Sequence, residues 1–341
     1  MVKLNVLELE KAEYTGGKSS LCPGCGHDQI SNNIIQAAWE NGIQPEKIAK
    51  MSGIGCSSKT PAYFLGKSHG FNTVHGRMPS VTTGANMVNK DLSFLAVSGD
   101  GDTASIGIGQ FIHAIRRNLD MVYIVENNGV YGLTKGQYSP TSEVGMKTKS
   151  TPMGSVDHPI NPIQFAIGAE ASFIARTVDT DPKHMIEIFR AAHAHQGTSF
   201  IEIFQNCVIY NNHVWEEIYG REARAEQILY LEEGKPLIYG SERNKGIRLN
   251  GLKPEVVTLG EGGVSEDDLV VHDSGTDNPL YTTLLSQLVH PDFPTPSGIF
   301  HAQERPTYEG AIEEQIQSAT EAKGPGDLQS LLKGAGSWVV E

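Results

Sequence analysis

The sequence predicts an α/β protein built on a doubly wound, mostly parallel sheet, with a C-terminal extension. Three observations carry this expectation. Short apolar runs such as SFLAVSG and MVYIVEN end in glycine or asparagine, stretches of helical period lie between them, and the strand–helix–strand order recurs at the spacing of a βαβ unit.

SFLAVSGDGD reads as a buried strand closing at Gly99, and TASIGIGQFIHAIRRN as a helix carrying Ile108, Phe111, Ile112 and Ile115 on one face. MVYIVENNG is the next strand, closing at Asn127 and Asn128, and parallel pairing of the two requires a right-handed crossover. Downstream, FIARTVDT, DPKHMIEIFRAAHAHQ and SFIEIFQNC repeat the pattern, with Asp181 at the helix start and the last strand ending near Cys207. Upstream, KIAKMSGIGC and NTVHG give two more strand ends, at Gly53 to Cys56 and at His75 and Gly76. In a doubly wound sheet these ends share one edge, where such sheets bind ligands. From about Glu232 the chain turns rich in glycine and charge, with one strand-like run, LVVHDS, one helical run, NPLYTTLLSQLVH, and a polar C-terminal stretch suited to an arm over a partner subunit. Residues 1–231 are therefore expected to form the ligand-binding domain, and residues 232–341 an extension packing on the core or on a partner.

With 341 residues, 39% of them hydrophobic, the chain can bury a sizeable core, and its formal net charge of -13 argues against nucleic acid or anionic membrane as a partner. The N-terminal MVKLNVLELEKAEYTGG lacks the apolar segment of an export signal, and no apolar run reaches the ~18 residues of a membrane span, so a cytoplasmic location is expected. Four cysteines in such a compartment do not suggest a disulfide scaffold.

GDGD at Gly99 to Asp102 opens a helix directly after a strand, and Asn127 and Asn128 close the next. Magnesium prefers hard oxygen ligands, commonly a few from protein and the rest from phosphate and water. Asp100 can give a carboxylate oxygen, Asn128 an amide oxygen and Val130 a backbone carbonyl, while Gly99 and Gly101 let a diphosphate approach the helix N-terminus. Two tight turns would look the same singly; on adjacent strand ends the pair reads as a magnesium–diphosphate site.

GDGD with ENNGVYGLTKGQYSPT resembles the thiamine diphosphate motif, and more closely the β subunit of 2-oxoacid:ferredoxin oxidoreductases, especially the 2-oxoglutarate type, over about residues 15 to 230. The resemblance implies the thiamine diphosphate-binding fold, with Asp100, Asn128 and Val130 as magnesium ligands. It also places Ile54, Gly55, Cys56, Ser57, His75, Gly99, Gly101, Asp102, Asn127, Leu133 and Thr134 around the cofactor.

The stretch CPGCGHDQ, from Cys22 to Gln29, permits by itself zinc, a redox dithiol or an iron–sulfur cluster. The lack of a second CxxC weakens a zinc ribbon, and the position of Cys22 before the first strand weakens a thioredoxin-like site. The resemblance implies one [4Fe–4S] cluster on Cys22, Cys25, Cys56 and Cys207, with no cysteine left over. It further implies oxidative decarboxylation of a 2-oxoacid, 2-oxoglutarate above others, with coenzyme A and ferredoxin to succinyl-coenzyme A, carbon dioxide and reduced ferredoxin, or the reverse carboxylation. The cluster would take electrons singly from a thiamine-bound enamine.

A thiamine enzyme needs a glutamate against the pyrimidine ring, and Glu126, beside the metal ligands, is poorly placed for it. The family's α subunit provides that glutamate, implying half an active site and an α2β2 or larger assembly, with coenzyme A held largely by the partner. Lys59, Lys135 and Arg77 are candidates for substrate carboxylates, Leu133 for apolar wall and His75 for a cofactor contact; His27 reads as structural, and Arg116 and Arg117 as cations at a helix C-terminus. The competing reading is a non-redox thiamine decarboxylase or carboligase subunit with structural zinc.

Overall fold

The structure is a computed structural model that describes residues 3–340. Eight strands form one sheet in the order β2-β1-β3-β4-β8-β7-β13-β9. They are β1 (Ile48–Ser52), β2 (His69–Asn72), β3 (Ser93–Gly99), β4 (Met121–Asn127), β7 (Phe173–Val178), β8 (Thr198–Phe204), β9 (Ile228–Leu231) and β13 (Thr295–Ala302). Every pairing is parallel except that of β13 with β7. A short hairpin, β5 (Val130–Tyr131) with β6 (Gln137–Tyr138), follows β4. A separate antiparallel sheet joins β10 (Ile238–Tyr239), β11 (Lys245–Asn250) and β12 (Lys253–Thr258).

The central strands are apolar and buried along their length because helices cover both faces. Alternate residues divide between two cores. Ile48, Val97, Ile124, Ile201 and Ile203 face α1 (Gly26–Glu40) and α5 (Pro182–Ala194). Met51, Ala96, Tyr123, Val125 and Phe200 face α2 (Met78–Val88), α3 (Ile108–Arg117), α4 (Pro162–Gly168) and α8 (Pro279–Gln287). On the second face Phe111, Tyr123 and Phe200 meet with ring centroids 5.1 to 6.3 Å apart. Helix α5 starts as expected: Asp181 caps it by accepting from the His184 N–H, and Pro182 follows.

The helix after GDGD begins earlier and less regularly than the sequence suggests. A π-type turn spans Asp102–Ile106 before α3 takes over, with Phe111 and Ile115 buried and Ile112 partly so. Strand β2 stops at Asn72, before His75, leaving residues 73–77 as a loop over the sheet edge. After β8 come the short helices α6 (Glu216–Tyr219) and α7 (Arg224–Gln227). The sequence reading foresaw neither β9 nor β13, whose THR-to-ALA run TPSGIFHA enters the main sheet beside β7. Helices α9 (Tyr308–Lys323) and α10 (Leu328–Leu332) close the described chain and are mostly exposed. Among the described residues no helix is long and apolar enough to cross a membrane.

Phe200 is fully buried in the aromatic trio, so Phe200→Ala should lower stability by about 3–5 kcal/mol. Urea unfolding checks this; a midpoint within error of the wild type would mean that the trio is not a principal packing unit.

Candidate functional site

The loops after β1, β2, β3 and β4 enclose a cavity of ≈ 360 Å³ at the carboxyl edge of the sheet. Its wall takes Ile54, Gly55, Cys56 and Ser57 from the first loop and His75 from the second. Gly99, Asp100 and Asp102 come from the third, and Asn128, Val130, Leu133 and Thr134 from the fourth. Twelve sequence positions singled out above thus meet in one place.

Asp100 is 2% exposed, and its Oδ2 accepts from the Thr141 hydroxyl at 2.7 Å. Burial pushes its carboxyl above the usual range, against the bonds from Ser139, Thr141 and the Asn128 backbone that favour the charged form. Asn128 turns its Oδ1 toward the Val130 N–H at 3.2 Å. A carboxylate, an amide oxygen and a main-chain carbonyl, all at buried residues, form a hard-oxygen set that fits magnesium.

Asp102 has a different task. Its Oδ1 accepts from the Gly76 N–H and its Oδ2 from Ser98 Oγ, both at 2.8 Å, so the carboxylate ties the β2 loop to β3. A Cβ at Gly53 would stand 1.8 Å from Asp102 Oδ2, which explains that glycine by close approach. Gly101 is absent from the cavity wall. Its missing Cβ makes room for the Tyr131 ring, 2.2 Å from where that atom would be, and Tyr131 Oη donates to the Gly101 carbonyl at 3.1 Å. Tyr131, Ile106, Gly132 and Gln137 complete the wall and were not foreseen; the aromatic in NNGVY was the available signal. Asn127 lies behind the wall, donating to Glu202 Oε1 at 2.9 Å, and its Oδ1, 2.9 Å from Thr141 Oγ1, shares the single Thr141 hydroxyl hydrogen with Asp100.

The candidate substrate cations are not in the wall. Lys59 is exposed and donates to Ser20 Oγ at 3.1 Å; Lys135, with φ of 82°, and Arg77 are also exposed. Leu133 lines the cavity at 44% exposure, and His75 lines it from an exposed position.

All four cysteines are free. Cys25 and Cys207 are buried, Cys56 is half-buried and Cys22 is exposed. A Cβ on Gly132 would lie 3.7 Å from Cys56 Sγ and 3.6 Å from Cys207 Sγ, so the two sulfurs flank one point of the cavity wall. Burial pushes the Cys25 thiol up to about 12, the His27 backbone N–H opposing, with further upward pushes from Cys207, Cys56 and Cys22. The four sulfurs thus sense one another from three separate chain segments. Among the described residues, no three His, Cys, Asp or Glu side chains are already gathered as a metal-holding group.

Behind Cys25, His27 Nδ1 is 3.0 Å from its sulfur, while Nε2 lies 2.9 Å from Ser57 Oγ and 3.2 Å from Glu126 Oε2. Burial raises the Glu126 carboxyl well above its ordinary range and depresses His27. Glu126 is fully buried and does not reach the cavity.

Residues 53–203 match the family described as thiamine pyrophosphate enzyme, C-terminal TPP binding domain. A 2-oxoglutarate oxidoreductase subunit KorB of Mycobacterium tuberculosis is 42% identical over 94% of this chain and 85% of its own length. The chain belongs to the 2-oxoacid:ferredoxin oxidoreductase β subunits. This β subunit is also 34% identical to a 2-oxoglutarate synthase subunit KorB of Methanocaldococcus jannaschii, over 67% of this chain and 83% of that one. Its fold matches a 2-oxoglutarate:ferredoxin oxidoreductase from Magnetococcus marinus with a TM-score of 0.75 at 28% identity, covering 96% of this chain and 97% of that chain. The β subunit is therefore part of an oxidoreductase, with the doubly wound thiamine diphosphate fold that its sequence predicted.

Thr141 bonds both Asp100 and Asn127 from outside the cavity wall. Thr141→Val should weaken magnesium-dependent thiamine diphosphate binding roughly tenfold with little loss of stability. Titration calorimetry is the check, and an unchanged dissociation constant would assign Thr141 a packing role.

Proposed function

We propose that the chain is the β subunit of a complex that converts 2-oxoglutarate, coenzyme A and two oxidised ferredoxins into succinyl-coenzyme A, carbon dioxide, a proton and two reduced ferredoxins, or runs the reverse carboxylation. The observation that carries this reading is one cavity lined by two unlike sets of residues. Asp100, Asn128 and Val130 line it together with the Cys56 segment. Thiamine diphosphate, when bound, supplies a carbon nucleophile for the 2-oxoacid carbonyl, and a [4Fe–4S] cluster supplies a one-electron acceptor.

In this reading Asp100, Asn128 and the Val130 carbonyl hold magnesium against the diphosphate, with the Thr141 bond keeping the Asp100 carboxylate aimed. Tyr131 shapes the floor by its contact with Gly101, and Leu133 and Ile106 keep the mouth apolar, which limits water around the reacting carbon. Cys22, Cys25, Cys56 and Cys207 hold the cluster. Among the described residues, the carboxylates lining the cavity are Asp100 and Asp102, and both have tasks. This supports an α subunit as the source of the pyrimidine-side glutamate, in an α2β2 or larger assembly. Lys59, Lys135 and Arg77, exposed beside the site, would reach a substrate carboxylate only from the mouth, where the partner closes.

The anaerobically purified complex should contain about four irons and four sulfides per chain, and Cys56→Ser should lower that content. Asp100→Ala should cut 2-oxoglutarate-dependent ferredoxin reduction roughly a hundredfold or more while leaving iron unchanged, and chelation of magnesium should do the same reversibly. One zinc per chain with no visible absorption would overturn the redox reading.

A further inference from the structure

Gln205, at the end of β8, has no exposed surface and touches both halves of the site. Its Oε1 accepts from Asn128 Nδ2 at 2.8 Å, and its Nε2 donates to Cys25 Sγ at 3.4 Å and to the Asn206 carbonyl. Its own N–H is fixed by the Asn127 carbonyl at 2.9 Å. Chemistry dictates how both amides face. Asn128 can ligate a cation only through its oxygen, so its NH2 group is left to donate. Gln205 must therefore present Oε1 to that donor, which aims Nε2 at the cysteine sulfur. A thiolate accepts and does not donate, so this orientation suits it as well.

We propose that Gln205 is a positioning residue that couples the magnesium–diphosphate site to the iron–sulfur site through its single side-chain amide. The inference rests on the reading of the cysteines given under the proposed function. Coordination of Asn128 Oδ1 draws electron density from that amide and strengthens its N–H donation to Gln205. The polarised Gln205 amide then donates more strongly to Cys25. An N–H bond to a cluster-ligating sulfur favours the more negative, reduced form and raises the potential. His27 Nδ1 lies 3.0 Å from the same sulfur but has no contact with the metal side, and the Asn206 carbonyl lies 3.9 Å from that sulfur. Loading of magnesium and thiamine diphosphate thus raises the cluster potential, and reduction of the cluster in turn favours loading, since coupling between two sites is reciprocal.

The test is a redox titration of the anaerobic complex with and without magnesium and thiamine diphosphate, in wild type and in Gln205→Met. Gln205→Met should lower the reduction equilibrium roughly tenfold, about 59 mV for a one-electron couple, and should abolish the upward shift on loading. Calorimetry should show magnesium-dependent diphosphate binding weakened roughly tenfold in the same variant. An unchanged potential with an unchanged response to loading overturns the proposal, and so does a change on one side of the site without the other. Where Gln205→Met does not retain iron, the wild type decides. With 15N-labelled glutamine, its reduced cluster should show hyperfine coupling to one glutamine nitrogen, and a missing coupling overturns the proposal. A wild-type complex without iron removes the functional reading and this inference with it, whereas iron without the coupling removes the inference alone.

Discussion

A buried ion pair under the ligand edge fixes much of what lies above it. Arg176 Nε on β7 meets Glu202 Oε2 on β8 at 2.8 Å, with side chains 7% and 1% exposed. The guanidinium lies 5.0 and 5.3 Å from the rings of Phe204 and Phe300 and donates to the Pro296 carbonyl, which draws β13 into the same cluster. Removing one member of such a pair strands a charge in the core, at a cost of about 3–5 kcal/mol. The pair also acts upward. Glu202 Oε1 holds the Asn127 amide, Asn127 Oδ1 accepts from Gly129 N–H and Thr141, and Thr141 bonds Asp100. A charge deep in the sheet therefore sets the orientation of the Asp100 carboxylate, through side chains that never enter the cavity.

A second set of buried charges positions the opposite wall. Lys50 on β1, 6% exposed, donates to the carbonyls of Pro61, Phe64 and Leu65 at 2.6 to 3.0 Å. Those bonds anchor the end of the 3-10 helical segment (Ser57–Ala62) that follows Cys56. Asp102 ties residues 76, 98 and 102 together in the same manner. The charged groups near the site thus divide into those spent on holding loops and those left to face a ligand. Asp102 serves both ends, since it lines the cavity while holding the loops. Asp100 lines the cavity with its Oδ2 accepting from Thr141, and burial makes its charge costly.

The central sheet was legible because its strands are buried on both faces, so each appears as a mainly apolar run, interrupted at most by a single buried charge such as Lys50, Arg176 or Glu202. Two strands at the far end of the sheet were not. β9 is four residues long, β13 lies beyond a stretch rich in glycine and charge, and both owe their place to pairing with strands distant in the chain, as in Gly298 opposite Arg176. At the site, the residue types with distinctive chemistry were legible: Asp100, Asn128 and the glycines announce themselves by spacing. The residues that aim them were not, since Thr141, Tyr131 and Gln205 are ordinary until the fold shows what each touches. The glycine at 101 was legible as a need for space, but the space belongs to the Tyr131 ring. The lysines and Arg77 illustrate the opposite error: nearness in sequence to a site residue does not direct a long, solvated side chain into the cavity.

The thin point between the two walls is Gly132. It lines the cavity, and its missing side chain leaves Cys56 and Cys207 sulfurs 3.7 and 3.6 Å from the position a Cβ would take. That separation is ordinary van der Waals contact, so an alanine there is not sterically forbidden; it would instead fill the space between the cavity and the sulfurs. Cys56 meanwhile belongs to the same loop as Ile54, Gly55 and Ser57, which line the cavity directly. A reaction that only needed the diphosphate site would gain nothing from bringing two thiols, one buried and one half-buried, this close to its cavity. A reaction that leaves an electron pair on its substrate carbon gains a short route for removing it. Cys56 follows β1 and Cys207 follows β8, so the sheet that carries those two strands sets where their sulfurs lie.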